Sequence, residues 1–518
     1  MDSPKETIRA HSPATGALLV EIRATAPGEV MALLAAARAA FPAWRDLPIG
    51  QRLDCVTRLR KLLVERLDEV VALVAAATGK PDVEALASDV LVSVDVLRYY
   101  EREARQILAD EPRRGTLLYR LSKFLVTYQP MGAVAVIAPW NHPLQLALVP
   151  AVAALIAGNT VLLKPSELTP TVGQLIAELG ADAGLPRGAL TVLQGGPEVG
   201  KALVAAGPDK IFFTGSLATG RAILAAAAEG LIPVSLELGG NDPMIVFEDA
   251  DLGRAVAGAT YGAFANAGQN CVAVERLYVQ RSIHDRFLAR VTEAAERLRV
   301  GSGREADLGP IISDGQREKL TGLLEDALGR GARPTTPIRW EGNRLHPVVL
   351  AGVDHSMRIM QTEVFGPILP VMPFDSEDEA VALANDSPHG LNSSVWTRDA
   401  SRARRVARRL VTGSCAINDV LKNIGNPTTP FGGVRQSGLG KSHGPEGLRA
   451  FCHQRVIMTN PQTLGAEPNW FPYGDGVYQA LSALIRALHG DDAAPKKLWH
   501  LAKGMSTAIF GHKAKDEP

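Results

Sequence analysis

The chain has 518 residues, of which 46% are hydrophobic and 21% are charged. This composition is ordinary for a folded soluble protein, and the length predicts two or three domains because it exceeds what one hydrophobic core supports. Lys plus Arg number 55 and Asp plus Glu number 55, so the zero net charge gives no global electrostatic argument for a nucleic-acid partner or an anionic membrane.

The four cysteines are Cys55, Cys271, Cys415 and Cys452. They form no CxxC pair, and no histidine cluster has metal-ligand spacing, so we expect reduced thiols and no metal site. The polar N-terminus lacks a signal-peptide core, and no uncharged apolar run reaches the ~20 residues that cross a bilayer. These features predict a cytoplasmic protein.

The N-terminal region has the spacing of helices. In Glu29–Trp44 the apolar residues recur at helical intervals, and a second helical block runs from about Gln51 to Ala77. The segment Leu117–Gln129 alternates partly between apolar and polar residues and predicts a strand pair outside the main pattern.

From Met131 short apolar runs alternate with helical segments. Strands are predicted at Ala133–Ala138, Thr160–Leu163, Leu190–Leu193, Lys210–Phe213, Val234–Leu236 and Met244–Phe247. Helices are predicted at Leu144–Ala157, Thr171–Ala183, Glu198–Ala206 and Thr219–Glu229. Buried strands alternating with helices indicate a parallel, doubly wound α/β sheet, in which ligands bind beyond the carboxyl ends of the strands.

A second alternation follows Asp251, where a helix over Leu252–Asn266 leads to Cys271. Further strands are predicted near Arg276–Gln280, Pro347–Ala351, Ile368–Met372, Ser393–Thr397 and Ser414–Asn418. The pattern predicts a second α/β domain.

The C-terminal segment, from about Asn460, differs in character. One predicted helical face is formed by Tyr478, Leu481, Leu484, Ile485 and Leu488, and a polar break precedes a second apolar segment, Leu498–Phe510. Both segments either dock on the body or on a partner subunit, or make a weak peripheral membrane contact through mixed aromatic, apolar and basic side chains.

Three segments place reactive side chains at the ends of predicted elements. Cys271 follows small and polar residues, which suits a nucleophilic thiolate, although a lone cysteine also serves as a small core residue. Glu237 ends a strand before two glycines and is a candidate general base or a surface ion-pair partner. Asn141 stands between Pro139 and Pro143 and either donates to an oxyanion or stabilises a turn.

Two further segments suit a nucleotide. The strand, turn and helix around Gly215, Ser216 and Gly220 form a phosphate-binding arrangement, although the sequence is not GxGxxG. Lys164 and Glu167 follow another strand, where a carboxylate can accept the hydroxyls of an adenosine ribose and repel a 2′-phosphate; ordinary turn chemistry is the alternative.

Together and in this order, these segments resemble the aldehyde dehydrogenase superfamily over roughly residues 10–460. The motifs that carry the resemblance are Pro139–Pro143, Lys164–Glu167, Phe213–Gly220, Glu237–Gly240, Gly268–Cys271, Glu363–Pro367 and Pro430–Gly433. The stretches Gly390–Asp419 and His443–Gly447 and the long tail are similar to a bacterial subgroup often labelled succinate-semialdehyde dehydrogenase.

The resemblance implies a three-part α/β subunit: a Rossmann-type cofactor domain, an α/β catalytic domain and a small β oligomerisation arm. The implied ranges are 1–116 and 130–236 for the cofactor domain, 237–415 for the catalytic domain, 117–129 and 416–459 for the arm, and 460–518 for a C-terminal extension. It also implies a homodimer or homotetramer.

The resemblance assigns roles to individual residues. Cys271 matches the nucleophile, Glu237 the base and Asn141 the oxyanion donor. The cofactor contacts that it implies are Trp140, Lys164, Ser166, Glu167, Gly215, Ser216, Gly220, Glu363 and Phe365. The implied reaction is oxidation of an aldehyde to an acid through a Cys271 thioester, with Glu167 favouring NAD over NADP.

The sequence does not identify which aldehyde is the substrate. By helical spacing His142, Leu146 and Val149 are expected to face a substrate tunnel, and their apolar, arginine-free character favours an uncharged aldehyde over a semialdehyde; His142 is equally suited to a structural role. The alternatives are a CoA-acylating semialdehyde dehydrogenase, a non-catalytic protein that retains the fold, and a cysteine hydrolase. Glu237 argues against the first of these, the intact set of candidate residues against the second, and the nucleotide segments against the third.

Overall fold

A computed structural model describes residues 7–116, 119–120, 122–461, 467, 470–491, 494–500 and 502. Its helices are α1 Val30–Arg45, α2 Ile49–Glu65, α3 Leu67–Thr78, α4 Asp82–Glu84, α5 Val92–Ile107, α6 Gln145–Ile156, α7 Pro170–Asp182, α8 Pro197–Ala205, α9 Leu217–Glu229, α10 Leu252–Phe264, α11 His284–Glu296, α12 Asp314–Gly329, α13 Glu377–Asn385, α14 Ala400–Arg409, α15 Gly444–Arg449 and α16 Asp475–His489. Its strands are β1 Thr7–His11, β2 Leu18–Arg23, β3 Glu111–Arg113, β4 Lys123–Pro130, β5 Ala133–Ile137, β6 Thr160–Lys164, β7 Leu190–Val192, β8 Lys210–Thr214, β9 Val234–Glu237, β10 Asp242–Val246, β11 Val274–Gln280, β12 Arg333–Pro334, β13 Trp340–Glu341, β14 Arg344–Leu345, β15 Val348–Ala351, β16 Ile368–Phe374, β17 Ser394–Trp396, β18 Ala416–Ile417, β19 Gly438–Leu439 and β20 Cys452–Thr459.

The chain divides into two compact units, and the first comprises Met1–Asp110 and Thr127–Arg455. This unit contains a six-stranded sheet in the order β19-β9-β8-β5-β6-β7, in which only β19 is antiparallel to its neighbour. Successive side chains of β5 point to opposite faces. Val134 and Val136 therefore pack with α2, α3, α5, α6 and α7, whereas Ala133 and Ala135 pack with α1, α8 and α9. Helices on both faces explain why these strands are apolar throughout.

The first unit also contains a seven-stranded sheet in the order β12-β15-β16-β11-β10-β17-β18. Its strand pairs are parallel except β12 with β15. A separate apolar cluster fills its faces, with Phe264, Phe287 and Phe374 among its fully buried side chains. The two α/β sheets confirm the predicted fold class.

Some predicted elements differ from those observed in the first unit. The chain opens with a β1–β2 hairpin that we did not predict. The helical block from Gln51 to Ala77 is two helices, because Arg66 leaves the helical conformation between α2 and α3. The helical stretch from Asp82 to Ile107 was also absent from the sequence prediction, and it contains a π-helical turn, Ala85–Leu91.

The second unit comprises Glu111–Val126 and Val456–Pro518. It contains β3, which pairs antiparallel with β4, and the helix α16. The prediction of a strand pair within Leu117–Gln129 is wrong: the segment holds one strand, β4, whose hairpin partner lies earlier, at Glu111–Arg113. Leu117, Leu118 and Leu121 lie outside the described residues, as does most of the predicted segment Leu498–Phe510.

β3, β4 and β20 form a three-stranded sheet in the order β20-β4-β3. Two short strands that we assigned to the arm pair elsewhere: β18 pairs with β17 in the seven-stranded sheet, and β19 pairs with β9 in the six-stranded sheet. Among the described residues, no helix has the length and apolarity needed to cross a membrane.

Candidate active site

A left-handed turn brings the chain from α10 to Cys271. Asn266, Ala267 and Gly268 have φ values of 56°, 54° and 68°, and this conformation costs roughly 1–2 kcal/mol for each residue other than glycine. Side-chain hydrogen bonds hold the turn. Asn266 Nδ2 donates to the carbonyl oxygens of Asn141 and Gln269, both at 3.1 Å, and Gln269 Nε2 donates to Pro310 O at 3.0 Å. The turn thus has a fixed shape immediately before the candidate nucleophile.

The same turn packs closely against the segment that carries Glu363 and Phe365. A Cβ atom added to Gly268 would lie 2.2 Å from the carbonyl oxygen of Gly366. Only glycine fits this approach at a positive φ. The nucleophile segment and the Glu363–Pro367 segment are therefore placed against each other by backbone contact.

The Cys271 thiol is partly buried, and its Sγ lies 4.0 Å from Asn270 Oδ1. Burial raises the pKa of the thiol well above its ordinary value, and Glu363, Asp242 and Glu237 raise this pKa further. The backbone N–H of Cys271 itself favours the thiolate. In this environment the resting group is a thiol.

Glu237, at the end of β9, has a fully buried carboxyl group. Neither of its side-chain oxygens has a hydrogen-bond partner within the described part of the chain. Burial raises the pKa of Glu237 well above its ordinary value, and Lys441 partly offsets the shift. A carboxylate desolvated in this way is a stronger base than an exposed one, as water activation requires.

Asn141 lies just beyond β5 and is buried. Its Nδ2 donates to Gln269 O at 3.1 Å, which leaves the second N–H of the amide free to donate elsewhere. Its own carbonyl oxygen accepts from Lys80 Nζ at 2.7 Å and from Asn266. Lys80 in turn forms a fully buried ion pair with Asp89 at 2.8 Å. This network fixes both the backbone and the side chain of Asn141.

The predicted nucleotide segments lie at the carboxyl ends of β6 and β8. Lys164 Nζ contacts Glu167 Oε2 at 3.0 Å beyond β6, next to the buried side chain of Ser166. Beyond β8, Ser216 caps α9 by accepting from Thr219 N. These positions lie at the carboxyl edge of the sheet, where doubly wound folds bind dinucleotides.

Two glycines of the β8–α9 connection lie against neighbouring side chains. A Cβ atom at Gly215 would lie 2.5 Å from the ring of Phe213, and one at Gly220 would lie 2.5 Å from Leu238. Because glycine has no Cβ atom, the backbone at these two positions can lie close to Phe213 and Leu238. Ser216 and Thr219 at the N-terminus of α9 are exposed, at a position suited to an anionic group such as a pyrophosphate.

Glu363 and Phe365 lie close to the Glu237–Gly240 segment. Gly240 N donates to Glu363 Oε1 at 3.2 Å, and the rings of Phe365 and Trp140 meet edge to face at 5.5 Å. Burial and the neighbouring Glu275 raise the pKa of Glu363. The structure thus brings the candidate nicotinamide-side residues together with the candidate oxyanion segment.

A cavity of about 740 Å³ contains Cys271 and Glu237 in its lining. His142, Leu146 and Val149 line it as well, as the helical spacing predicts. Most of its wall is apolar, with contributions from Leu91, Val92, Pro150, Val420, Leu421, Ile424 and Phe431. None of the described residues that line it is an arginine; its charged residues are Glu84, Asp95, Glu237, Asp419 and Lys422.

His142 lines the cavity but also contacts the buried ion pair. Its Nδ1 lies 3.4 Å from Lys80 Nζ and 3.6 Å from Asp89 Oδ2. Burial lowers the pKa of His142, and Lys80 lowers it further. The imidazole is therefore neutral near pH 7, and its contacts fit a structural role at least as well as a substrate contact.

From the sequence we missed several buried charged side chains around the site. Lys80 and Asp89 hold Asn141, and Glu275 accepts the backbone N–H groups of Val364 and Phe365, both at 2.8 Å. Arg276 bonds the carbonyl oxygen of Asn241 at 2.9 Å. The available signal was a Glu-Arg pair inside the otherwise apolar strand β11, because charged residues are almost never fully buried without partners.

Comparison with known proteins identifies the class. The model of the aldehyde dehydrogenase family matches residues 1–457, and the chain belongs to this family of enzymes. The chain is thus an oxidoreductase that acts on aldehydes.

Individual relatives are similar along most of their length. The chain is 44% identical over 488 residues to the 4,4'-diapolycopene aldehyde oxidase of a Methylomonas species, covering 94% of this chain and 92% of that protein. It is 37% identical to the mitochondrial succinate-semialdehyde dehydrogenase of Arabidopsis thaliana, covering 87% and 86%. A crystal structure of a Mycobacterium tuberculosis aldehyde dehydrogenase complexed with NAD+ has a TM-score of 0.85 and 37% identity, covering 89% and 96%.

Proposed function

We propose that the protein oxidises an uncharged, predominantly apolar aldehyde to its carboxylic acid, with a nicotinamide dinucleotide as hydride acceptor. The observation that carries this proposal is the cavity that joins Cys271 and Glu237 to a largely apolar wall without a described arginine. A carboxylate-bearing substrate is held best by a fixed arginine, whereas the basic residue among the described lining residues is Lys422, which is exposed.

The residues have distinct tasks in this reaction. The Cys271 thiol loses its proton to solvent water, and the resulting thiolate adds to the aldehyde carbon. The resulting oxyanion accepts hydrogen bonds from the free N–H of the Asn141 amide and from the Cys271 backbone; one such donor is typically worth about 10²–10³ in rate. The bound dinucleotide supplies the hydride acceptor. Collapse of the oxyanion leaves a thioester on Cys271.

Hydrolysis completes the cycle at the same sulfur. Glu237 takes a proton from water, the hydroxide oxygen bonds to the acyl carbon, and the carbon–sulfur bond breaks. The acid leaves, and Cys271 is regenerated. Because Glu237 and Cys271 act in different steps, they need no direct hydrogen bond in the resting enzyme.

The cofactor contacts that we propose are Trp140, Lys164, Ser166, Glu167, Gly215, Ser216, Gly220, Glu363 and Phe365. The close approach at Gly215 and Gly220 and the open N-terminus of α9 suit a pyrophosphate. Glu167 next to Lys164 suits the two ribose hydroxyls of NAD and disfavours the 2′-phosphate of NADP. Similar structures include both an NAD+ complex and an NADP dependent enzyme, so the preference depends on local residues such as Glu167.

The relatives and the cavity together indicate the substrate class. One relative is named for a diapolycopene aldehyde, and another for succinate semialdehyde. The apolar wall favours a long hydrocarbon aldehyde over the semialdehyde. A CoA-acylating reaction is disfavoured by Glu237, because its buried, unpaired carboxyl group serves hydrolysis by water.

We also propose a cytoplasmic location, a homo-oligomer and the domain division given by the sequence, except that β3 joins the arm and that β18 and β19 leave it. The cofactor domain corresponds to the six-stranded sheet and the catalytic domain to the seven-stranded sheet. The arm corresponds to β3, β4 and β20. Val456, Ile457 and Met458 on β20 are exposed apolar side chains, which suit burial against a second copy.

We also propose a weak peripheral membrane contact, which the exposed side chains of the C-terminal segment support. Phe471 is 78% exposed, Tyr478 72% and Ile485 62%, and Trp470 and Trp499 are also exposed. Basic residues accompany them at Arg486, Lys496 and Lys497. This mixture is typical of helices that lie in a bilayer interface. Flotation with anionic vesicles tests this proposal: loss of co-flotation on truncation after residue 460 supports it, and no binding by the full chain contradicts it.

A panel of aldehydes tests the proposed reaction. Purified protein with NAD is mixed with short aliphatic, long aliphatic, polyene, aromatic and semialdehyde substrates, and NADH is followed by absorbance. We expect turnover of long apolar aldehydes with a higher kcat/KM than that of succinic semialdehyde, and its loss in Cys271→Ala. A preference for the semialdehyde would contradict the substrate class, and turnover by Cys271→Ala would contradict the mechanism.

A further inference from the structure

The carboxyl group of Glu84 contacts the turn that precedes Cys271 from the side of the cavity. Glu84 ends α4 where the chain enters the π-helical turn Ala85–Leu91, and it lines the cavity. Its Oε1 accepts the backbone N–H of Asn266 at 2.5 Å. Its Oε2 is buried and has no hydrogen-bond partner among residues that the structure describes. An unsatisfied buried carboxyl oxygen and a π-helical turn both mark functional positions.

The hydrogen bond from Asn266 places Glu84 next to the catalytic groups. Asn266 begins the left-handed turn that precedes Cys271, and its side chain bonds the carbonyl oxygens of Asn141 and Gln269. The Asn141 amide donates to the same Gln269 oxygen. A shift of the Asn266 backbone therefore moves both the amide that meets the oxyanion and the segment that carries the nucleophile.

We propose that the Glu84 carboxylate is a positioning residue: it holds the turn formed by Asn266, Ala267 and Gly268 and, through it, keeps Asn141 oriented for formation of the oxyanion. This inference rests on the proposed roles of Cys271 and Asn141. Glu84 itself touches neither the sulfur nor the reacting carbonyl. It connects the wall of the substrate cavity to the oxyanion site.

The charge of Glu84 depends on pH within the working range of an enzyme. Burial raises the pKa of Glu84 to about 7; the Asn266 N–H and Lys80 lower it, and Asp307 and Asp89 raise it further. Glu84 also helps to raise the pKa of the nearby Tyr261. The ionised carboxylate makes the stronger, charge-assisted bond to Asn266, so the turn is held best above this pKa and less well below it.

Acylation by an ester measures this positioning without a cofactor or a known aldehyde. The burst of nitrophenol from 4-nitrophenyl acetate reports attack by Cys271 through an oxyanion, and Cys271→Ala must abolish it. In Glu84→Ala we expect the burst rate to fall about tenfold or more, with unchanged NAD binding and an unchanged burst amplitude. Asp82→Asn is the matched control: Asp82 lies in the same helix, pairs with Arg304 at 3.6 Å and is outside the cavity lining. Its burst rate should stay within about twofold of that of the wild type.

Glu84→Gln separates positioning from general stability. Glutamine keeps an acceptor for the Asn266 N–H but cannot ionise. The ratio of the wild-type to the Glu84→Gln burst rate cancels the ionisation of Cys271, which both proteins share. We expect this ratio to fall as the pH is lowered from about 8.5 to about 5.5 through the pKa of Glu84.

The outcomes are distinguishable from those of the proposed function. A burst that survives in Cys271→Ala, or no burst in the wild type, contradicts the proposed nucleophile. A Cys271-dependent burst that is unchanged in Glu84→Ala overturns the positioning role alone. If Glu84→Ala does not fold, Glu84→Gln decides: a ratio that does not change with pH overturns the proposal.

Discussion

Three acidic side chains interact with the nucleophile, and a fourth, Glu275, interacts with one of them. Glu237, Asp242 and Glu363 each raise the pKa of the Cys271 thiol, and Glu275 raises the pKa of Glu363. Burial raises the pKa of each of these carboxyl groups above its ordinary value. The raised pKa of the Cys271 thiol limits side reactions of a free thiolate.

The raised pKa of Glu237 gives a pH prediction. The base acts only when it is deprotonated, and burial raises its pKa well above the ordinary value. Steady-state kcat limited by hydrolysis should therefore rise with pH through that pKa and fall in acid. A stopped-flow measurement of the NADH burst alongside steady-state turnover separates the two steps. A kcat that is independent of pH while hydrolysis is rate-limiting would argue against Glu237 as the base.

Glu167 gives a second prediction at the residue scale. Glu167→Ser removes the carboxylate that would repel a 2′-phosphate, so the ratio of kcat/KM with NADP to that with NAD should rise about tenfold, equivalent to ~1.4 kcal/mol. Glu178→Gln, an equal charge change on α7, is the control. An unchanged ratio in Glu167→Ser would contradict the proposed contact between Glu167 and the adenosine ribose.

The candidate catalytic residues could be predicted from sequence because each stands in a short motif: Asn141 and Glu237 at the ends of strands, and Cys271 after a helix. The residues that hold these catalytic residues in place could not be predicted in this way. Lys80 reaches Asn141 from 61 positions away, and Glu84 reaches Asn266 from 182 positions away. Neither Lys80 nor Glu84 lies in a motif that we used, and only the folded chain brings these pairs together.

At the scale of elements, the active site depends on turns that pack against each other. The turn that begins at Asn266 abuts the backbone of Gly366, and Glu275 on β11 bonds the N–H groups of Val364 and Phe365. Apolar runs predicted the parallel strands, since both of their faces are buried. The region from Asp82 to Ile107 was missed, although the buried residues of α5, which include Val96, Tyr100 and Ala104, recur at helical spacing; the π-helical turn Ala85–Leu91 that precedes α5 has no such spacing.

Gly268→Ala tests this packing. Its φ of 68° and the 2.2 Å approach to Gly366 O leave no room for a side chain, so we expect loss of acylation and a decrease of about 2 kcal/mol or more in the free energy of unfolding. Gly322→Ala on α12, where a Cβ atom meets no neighbour within 4 Å, should instead stabilise the protein by about 0.5–1 kcal/mol. Denaturant unfolding measures both. Equal effects of the two substitutions would contradict the packing argument.

At the scale of the whole molecule, the resemblance to the family predicted the α/β architecture and the arm. Sequence spacing predicted the strand that contains β18, at Ser414–Asn418, but not β19, which is two residues long and has no periodicity to read. The C-terminal segment extends beyond the family model, which ends at residue 457. The match to the diapolycopene aldehyde oxidase covers 94% of the chain, so it must reach into this segment.

The exposed residues of β20 give a prediction about assembly. Val456→Glu combined with Met458→Glu places two charges on an edge strand, so a homo-oligomer formed through this edge should dissociate. Met31→Glu, at a residue of α1 that is 61% exposed, is the control and should leave the mass unchanged. Light scattering after size exclusion measures the mass. An unchanged oligomer in the double variant would show that β20 is not the interface.

The thioester on Cys271 is the central claim, and trapping it is the most direct test. Glu237→Gln is mixed with NAD and a long apolar aldehyde, quenched in acid and examined by mass spectrometry, with NADH counted in parallel. The account predicts one NADH per active site, little further turnover, and an acyl group on the peptide that contains Cys271. Normal steady turnover without an acyl group on Cys271 would contradict it.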